Sequence, residues 1–133
     1  MSDHLYLDSS ALVKLVVLEP ESAALREFLR GHTSRLSSTL AEVEVRRALR
    51  RAGYGAREQR RAAELLTRIA LVDVDRRILR HAAALSPANL RSLDAIHLAT
   101  ALSLGQDLAG VVTYDQRLSD AAVGADLEVW APA

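Results

Sequence analysis

Four carboxylates are spaced along the chain where their chemistry could be joined: Asp8, Glu44, Asp94 and Asp115. Asp8 follows the apolar run Leu5-Tyr6-Leu7, and Asp115 follows Gly110-Val111-Val112-Thr113-Tyr114. Each therefore reads as the C-terminal end of a short strand, where open α/β sheets place their sites. Asp94 opens a nearly all-apolar helical stretch, and Glu44 falls in the second turn of a helix that follows a strand. Carboxylates gathered without cations repel one another, which raises their pKa values and costs stability. A divalent ion offsets that cost, and oxygen-only ligands suit Mg2+ or Mn2+ rather than Zn2+. Such an ion activates water and steadies charge on phosphoryl oxygens. The chemistry implied is hydrolysis of a phosphodiester or a phosphomonoester.

Each acid also has a plainer role. Asp8 could cap a helix, Asp94 could complement a helix dipole, Glu44 could pair with Arg47 three residues on, and Asp115 could be a turn residue. What sets the four apart is their common placement at corresponding ends of successive units. Asp73, Asp75, Asp107 and Asp120 read as loop or cap residues. His97, three residues after Asp94, could extend a relay, but it reads more simply as a residue that packs or hydrogen-bonds on its own helix. His4, His32 and His81 lack metal-ligand spacing.

The elements that must position these acids alternate along the chain. A strand over about 4–8 precedes a helix that Ser9 or Ser10 can cap and that Glu19-Pro20 stops near Leu18. A helix from Pro20-Glu21-Ser22 runs to Gly31-His32. A weak strand, Arg35-Leu36-Ser37-Ser38, leads into a helix over about 40–52 capped by Ser38 or Thr39. On its wheel Ala41, Val45, Ala48, Leu49 and Ala52 share an arc, with Glu44 at one border and Glu42 at the other. After the turn Gly53-Tyr54-Gly55 a second helix spans about 56–69, so the two form a hairpin with its arginines largely outside. A third strand covers 71–74, then a helix over 76–85 that Asp75 can cap. Ser92 can cap the buried helix that holds Asp94 and ends at Gly105. A strand over 110–114, a short helix over 116–122 and an edge-like strand over 127–130 complete the chain. This alternation argues α/β: a central parallel sheet of about five strands with helices on both faces. The first strand belongs at its centre, which makes Asp8 and Asp115 end neighbouring strands.

At 133 residues, the chain reads as one domain over 1–133, and with 50% hydrophobic residues it can bury a core without staples. It contains no Cys, which excludes disulfides, thiolate metal sites and cysteine nucleophiles. No apolar run is long enough to span a membrane, and no basic segment precedes an apolar signal core at the start. A soluble cytoplasmic protein is expected. Net charge is zero, yet the basic residues are sixteen arginines and the single Lys14. Seven arginines fall between Arg46 and Arg61, namely Arg46, Arg47, Arg50, Arg51, Arg57, Arg60 and Arg61, opposed only by Glu58. Such a patch can attract phosphates or can simply be a solvated face.

Four segments, LYLDSSALVKL, VEVRRALRR, LDAIHLATAL and VVTYDQRL, occur in an order that resembles PIN-domain ribonucleases, most of all the VapC-type toxins of toxin–antitoxin pairs. The resemblance spans about residues 4–130. Its second segment selects Glu44 over Glu42, because the family's glutamate precedes a hydrophobic residue and an Arg-Ala-Leu run. The resemblance implies a PIN-like fold and a Mg2+-dependent endoribonuclease with a four-acid pocket. In it Asp8 and Asp94 match the principal metal ligands. Glu44 and Asp115 match the acids that hold a second metal or orient the attacking water. Ser9 keeps a hydroxyl where the family often has Thr, and Thr113 lines the pocket. The resemblance further implies an RNA substrate, a homodimer, and inhibition by a cognate antitoxin. The arginines Arg46, Arg47, Arg50 and Arg51 are then candidates for contact with RNA or antitoxin.

Two other classes compete. A Mg2+-dependent phosphatase with an aspartate nucleophile wants a second Asp where Ser10 stands, and a phospho-acceptor receiver wants a late lysine that the chain lacks. A non-catalytic PIN-like module that binds RNA or a partner, with the acids as a salt-bridge socket, also fits the sequence.

Overall fold

The computed structural model describes residues 3–133; Met1 and Ser2, within the expected domain span, lie outside the described residues. Five strands form one parallel sheet: β1 (His4–Leu7), β2 (Ser34–Ser38), β3 (Ala70–Val72), β4 (Leu108–Val112) and β5 (Val129–Trp130). Their order is β3-β2-β1-β4-β5, so β1 is central as expected. Its register sets Tyr6 beside Leu36 on one side and Val111 on the other. Asp8 therefore leaves the sheet next to the end of β4.

Seven α-helices connect the strands: α1 (Ser9–Val16), α2 (Ser22–Arg30), α3 (Leu40–Arg51), α4 (Ala56–Thr67), α5 (Arg76–Ala84), α6 (Ser92–Leu102) and α7 (Gln116–Gly124). Alternate side chains of a strand face opposite sides of a sheet, and both sides of β1 are buried. Leu5 and Leu7 pack with Leu12 of α1, Leu25 and Leu29 of α2, Val45 and Leu49 of α3, and Leu66 of α4. Tyr6 faces the other way, against Ala101 of α6 and Leu108 and Val111 of β4. A third cluster joins Ile78 and Ala82 of α5 to Ala95 and Ala99 of α6. Helices thus cover both faces, and the sheet core is aliphatic apart from Tyr6.

The α3–α4 hairpin turns at Gly53, whose φ of 86° is a left-handed conformation that glycine adopts without strain. All seven arginines between Arg46 and Arg61 are exposed along it. Several ends differ from the sequence expectation. β4 starts at Leu108 and ends at Val112, two residues earlier than the apolar run suggested. Gly105, with φ 57°, does not merely end α6; it starts a 3-10 turn, Gly105–Asp107, that leads straight into β4. Asp115 accordingly lies three residues beyond its strand rather than at the strand end.

Candidate active site

The caps bring the first acid into place. Ser9 and Ser10 do not cap α1; Asp8 does, accepting the Ala11 N–H on Oδ1 at 3.0 Å. The carboxylate reaches further back than a serine hydroxyl and serves the free first-turn donor from the residue before the helix. Ser10 Oγ donates to the same Oδ1 at 2.7 Å, and Thr113 Oγ1 donates to Oδ2 at 2.5 Å. Asp8 is only 4% exposed. Burial pushes its carboxyl above the ordinary range, against the hydrogen bonds from Ser10, Thr113 and Ala11 and the charge of His97.

Ser10 and Thr113 tie the β4 side to the β1 side. Ser10 Oγ accepts the Tyr114 N–H at 2.9 Å, and Thr113 Oγ1 accepts the Asp115 N–H at 3.0 Å. Thr113, one of the expected supporting residues, is hydrogen-bonded to both Asp8 and the Asp115 backbone. Ser10 was not anticipated as a supporting residue; a hydroxyl two residues after the acid was its only trace in the sequence. Asp115 caps α7, accepting on Oδ1 from Arg117 N–H at 2.9 Å and Leu118 N–H at 3.3 Å. Capping and a site role are compatible, because the cap uses one carboxylate oxygen.

Glu44 does not pair with Arg47. Its Oε1 accepts from Ser9 Oγ at 2.7 Å and from His97 Nε2 at 2.6 Å. Burial pushes Glu44 up, but the hydrogen bond and charge of His97, with Ser9, more than offset this and leave it below the ordinary range. The Ser9 hydroxyl is thus engaged with Glu44. His97 contradicts its expected role on its own helix: its ring is 3% exposed and bridges Glu44 to the hydroxyl of Tyr6, 2.6 Å from Nδ1. Helix α6 carries it across the sheet face that Tyr6 occupies, so both partners come from distant segments.

Asp94 stands in the first turn of α6, whose cap position is Arg91 rather than Ser92 and whose cap makes no side-chain hydrogen bond. Burial raises its carboxyl first, and then the charges of Asp115, Asp8 and Glu44 raise it further, with His97 acting the other way. Asp94 thus feels the charge of the other three acids, which come from separate segments of the chain. Among the described residues, no three His, Asp or Glu side chains lie close enough to hold a metal ion between them. The donor chemistry still suits a hard cation: the acids offer only carboxylate oxygen, and no arginine or lysine is among the groups acting on Asp94. A cavity of about 860 Å³ lies elsewhere, between the end of α5, the 85–91 loop and α7, and none of the four acids lines it. Arg46, Arg47, Arg50 and Arg51 lie on the helix of Glu44 but point into solvent, with Arg46 Nε donating to Gln59 of α4 at 3.2 Å.

The comparisons with known proteins agree with this architecture. The PIN domain family model matches residues 5–124. Ribonuclease VapC46 of Mycobacterium tuberculosis (strain ATCC 25618 / H37Rv) is 53% identical over 128 residues, which cover 96% of this chain and 97% of that protein. Ribonuclease VapC35 of the same strain is 42% identical over 132 residues, covering 96% of each. Two solved structures share the fold. The M. tuberculosis VapC20 toxin, described as cleaving the Sarcin-Ricin loop, matches with a TM-score of 0.73 at 16% identity, over 88% of this chain and 94% of that one. A toxin–antitoxin complex from Klebsiella pneumoniae matches with a TM-score of 0.72 at 20% identity, over 97% and 98%. With the sheet order, the family match and relatives of this similarity in agreement, the chain belongs to the PIN-domain family, among the VapC-type toxins.

Proposed function

We propose that this chain is the toxin of a toxin–antitoxin pair and acts as a Mg2+-dependent endoribonuclease that hydrolyses RNA phosphodiester bonds. The observation that supports this best is the acidic surrounding of Asp94, whose carboxyl is raised by burial and then by Asp115, Asp8 and Glu44, with His97 alone acting the other way. Such crowding is costly unless a cation joins it. Mg2+, or Mn2+ in its place, keeps several waters and needs only one or two direct carboxylates. That sparse demand suits acids that approach without closing a full ligand set.

Asp8 and Asp94 are the principal ligands in this reading, and Glu44 and Asp115 hold a second ion or orient the attacking water. When bound, the ion supplies Lewis acidity at the phosphoryl group and makes water a better nucleophile. The chain's own part is to hold the carboxylates still. Ser10, Thr113 and the Ala11 N–H fix Asp8, and Ser9 fixes Glu44. Arg46, Arg47, Arg50 and Arg51 contact RNA phosphates or the antitoxin from the exposed side of α3. The working form is a cytoplasmic homodimer restrained by its antitoxin, and residues 1–133 act as one domain. No helix among the described residues is long and apolar enough to cross a membrane.

The test is incubation of the purified chain with total RNA. Cleavage in Mg2+ that stops in EDTA is expected. RNA binding with no cleavage in either condition would make the acids a socket for a partner and overturn the reading.

A further inference from the structure

The buried Tyr6–His97–Glu44 chain is not used by any step above. Its geometry is unusually restrictive. Both hydrogen bonds to Glu44, from Ser9 Oγ and His97 Nε2, arrive at Oε1. An sp2 carboxylate oxygen has two lone pairs, so Oε1 is filled and Oε2 is the oxygen left to act. An ionised carboxylate only accepts, so the proton on that bond belongs to His97 Nε2. The other ring nitrogen, Nδ1, meets the Tyr6 hydroxyl at 2.6 Å, a group that can donate or accept. The nearby Thr100 hydroxyl is committed to the Ile96 carbonyl at 2.6 Å. Tyr6 is wholly buried and stands edge-on to the imidazole, with ring centroids 5.8 Å apart.

We infer that His97 is a positioning residue: the Tyr6 hydroxyl anchors its ring at Nδ1, and the Nε2–H, with Ser9, pins Glu44 Oε1 so that Oε2 alone is presented to the reacting groups. This rests on the reading of Glu44 as a member of the hydrolytic site. Residues that orient a ligating or catalytic group in this way are worth as much as many direct contacts. Packing alone would not need a histidine here, since an apolar side chain of similar size would fill the space between α6 and β1.

The test uses the full chain with His97→Leu, His97→Gln and Glu44→Gln. A glutamine amide nitrogen reaches nearly where Nε2 stands, so His97→Gln keeps the donor and His97→Leu removes it. His97→Leu is expected to lower kcat for RNA cleavage roughly 10- to 100-fold with KM unchanged, and His97→Gln to recover most of that loss. A folded His97→Gln as slow as His97→Leu would reduce His97 to packing and overturn the inference. The readout besides activity is the imidazole 15N spectrum of the metal-free parent. It should show His97 protonated at Nε2, with the Nε2 signal moved by Glu44→Gln. A ring bare at Nε2 overturns the inference. A parent that fails to cut RNA would sink the nuclease reading, while the same spectrum would still decide how His97 holds Glu44.

Discussion

Thr113→Val removes a hydroxyl and keeps the shape, and the structure fixes what that should cost. The hydroxyl donates to Asp8 Oδ2 at 2.5 Å and accepts from the Asp115 N–H at 3.0 Å, in a side chain 1% exposed. A hydrogen bond to a charged group contributes about 1.5–3 kcal/mol, and the second, to a half-buried amide that water can partly serve, about 0.5–1 kcal/mol. The sum is about 2–4 kcal/mol. For a chain of 133 residues, each kcal/mol moves the melting temperature by about 4 °C, so a fall of about 8–16 °C is expected. Thr113→Ser, which retains the hydroxyl, should lose much less. The pH dependence has a definite sign. Burial already holds the folded Asp8 carboxyl above its unfolded value, so this group's contribution to stability is present at low pH and is lost as pH rises through the folded pKa. Taking away the Thr113 donor raises that carboxyl further. The deficit of Thr113→Val should therefore be largest at neutral pH and narrow as pH falls through the raised folded pKa, above the ordinary carboxylate range. Denaturant unfolding in EDTA at several pH values measures both features. A variant within about 0.5 kcal/mol of the parent at neutral pH, or a deficit that widens on acidification, would refute the reasoning.

Three other outcomes follow from the same structure. Gly110→Ala places a Cβ against the Trp130 ring and 2.7 Å from the Glu128 carbonyl oxygen, which is backbone and cannot swing away. It should cost about 1–3 kcal/mol by overpacking between β4 and β5, read by urea unfolding, and a neutral substitution would show that β5 yields freely. Mg2+ should raise the melting temperature by mass action, by about 2.7 kcal/mol of stability at 100 times its dissociation constant. Because burial holds Asp8 and Asp94 above the ordinary range, with neighbouring acids adding at Asp94, this stabilisation should begin to fade at a higher pH than ordinary carboxylates would give. Differential scanning fluorimetry across pH checks it, and a pH-independent Mg2+ effect would count against the acids as ligands. Replacing Arg46, Arg47, Arg50 and Arg51 with Gln should weaken RNA binding and lower its salt slope by about 0.7 per lost phosphate contact. An unchanged slope would assign these arginines to the antitoxin face.

The fold was legible because its pattern is local. Strands alternate with helices, and the apolar segments around Leu5 and Val111 mark the central strands without knowledge of any partner. Asp8 and Asp94 stand out by position, after a strand and in the first turn of a helix, whereas Asp115 lies three residues beyond β4 and Glu44 is in the second turn of α3. What the sequence hid depends on contacts across the sheet. Tyr6 and His97 are 91 residues apart, and a histidine on an apolar helix gives no sign of which carboxylate its ring will meet. The cap of α1 was hidden for a different reason. Asp8, Ser9 and Ser10 are all good cap residues, and only the backbone decides which one occupies the position. Glu44 and Arg47 looked paired at helical spacing, but the partly buried hydroxyl and imidazole offered Glu44 stronger partners than an exposed arginine does. The early end of β4 escaped because Thr113 and Tyr114 continue the β-prone composition: the Thr113 N–H still donates to the Trp130 carbonyl at 3.1 Å, and only the Tyr114 N–H turns away, to Ser10 Oγ at 2.9 Å.

The most direct measurement is cleavage, by Asp8→Asn, of an RNA that the parent cuts in Mg2+. Asn is nearly isosteric, and its side-chain oxygen can still cap α1 through Ala11 N–H, so the fold should persist by circular dichroism. The loss of the charge at the most deeply buried of the four acids should abolish cleavage. A folded Asp8→Asn that cuts as fast as the parent would contradict the account.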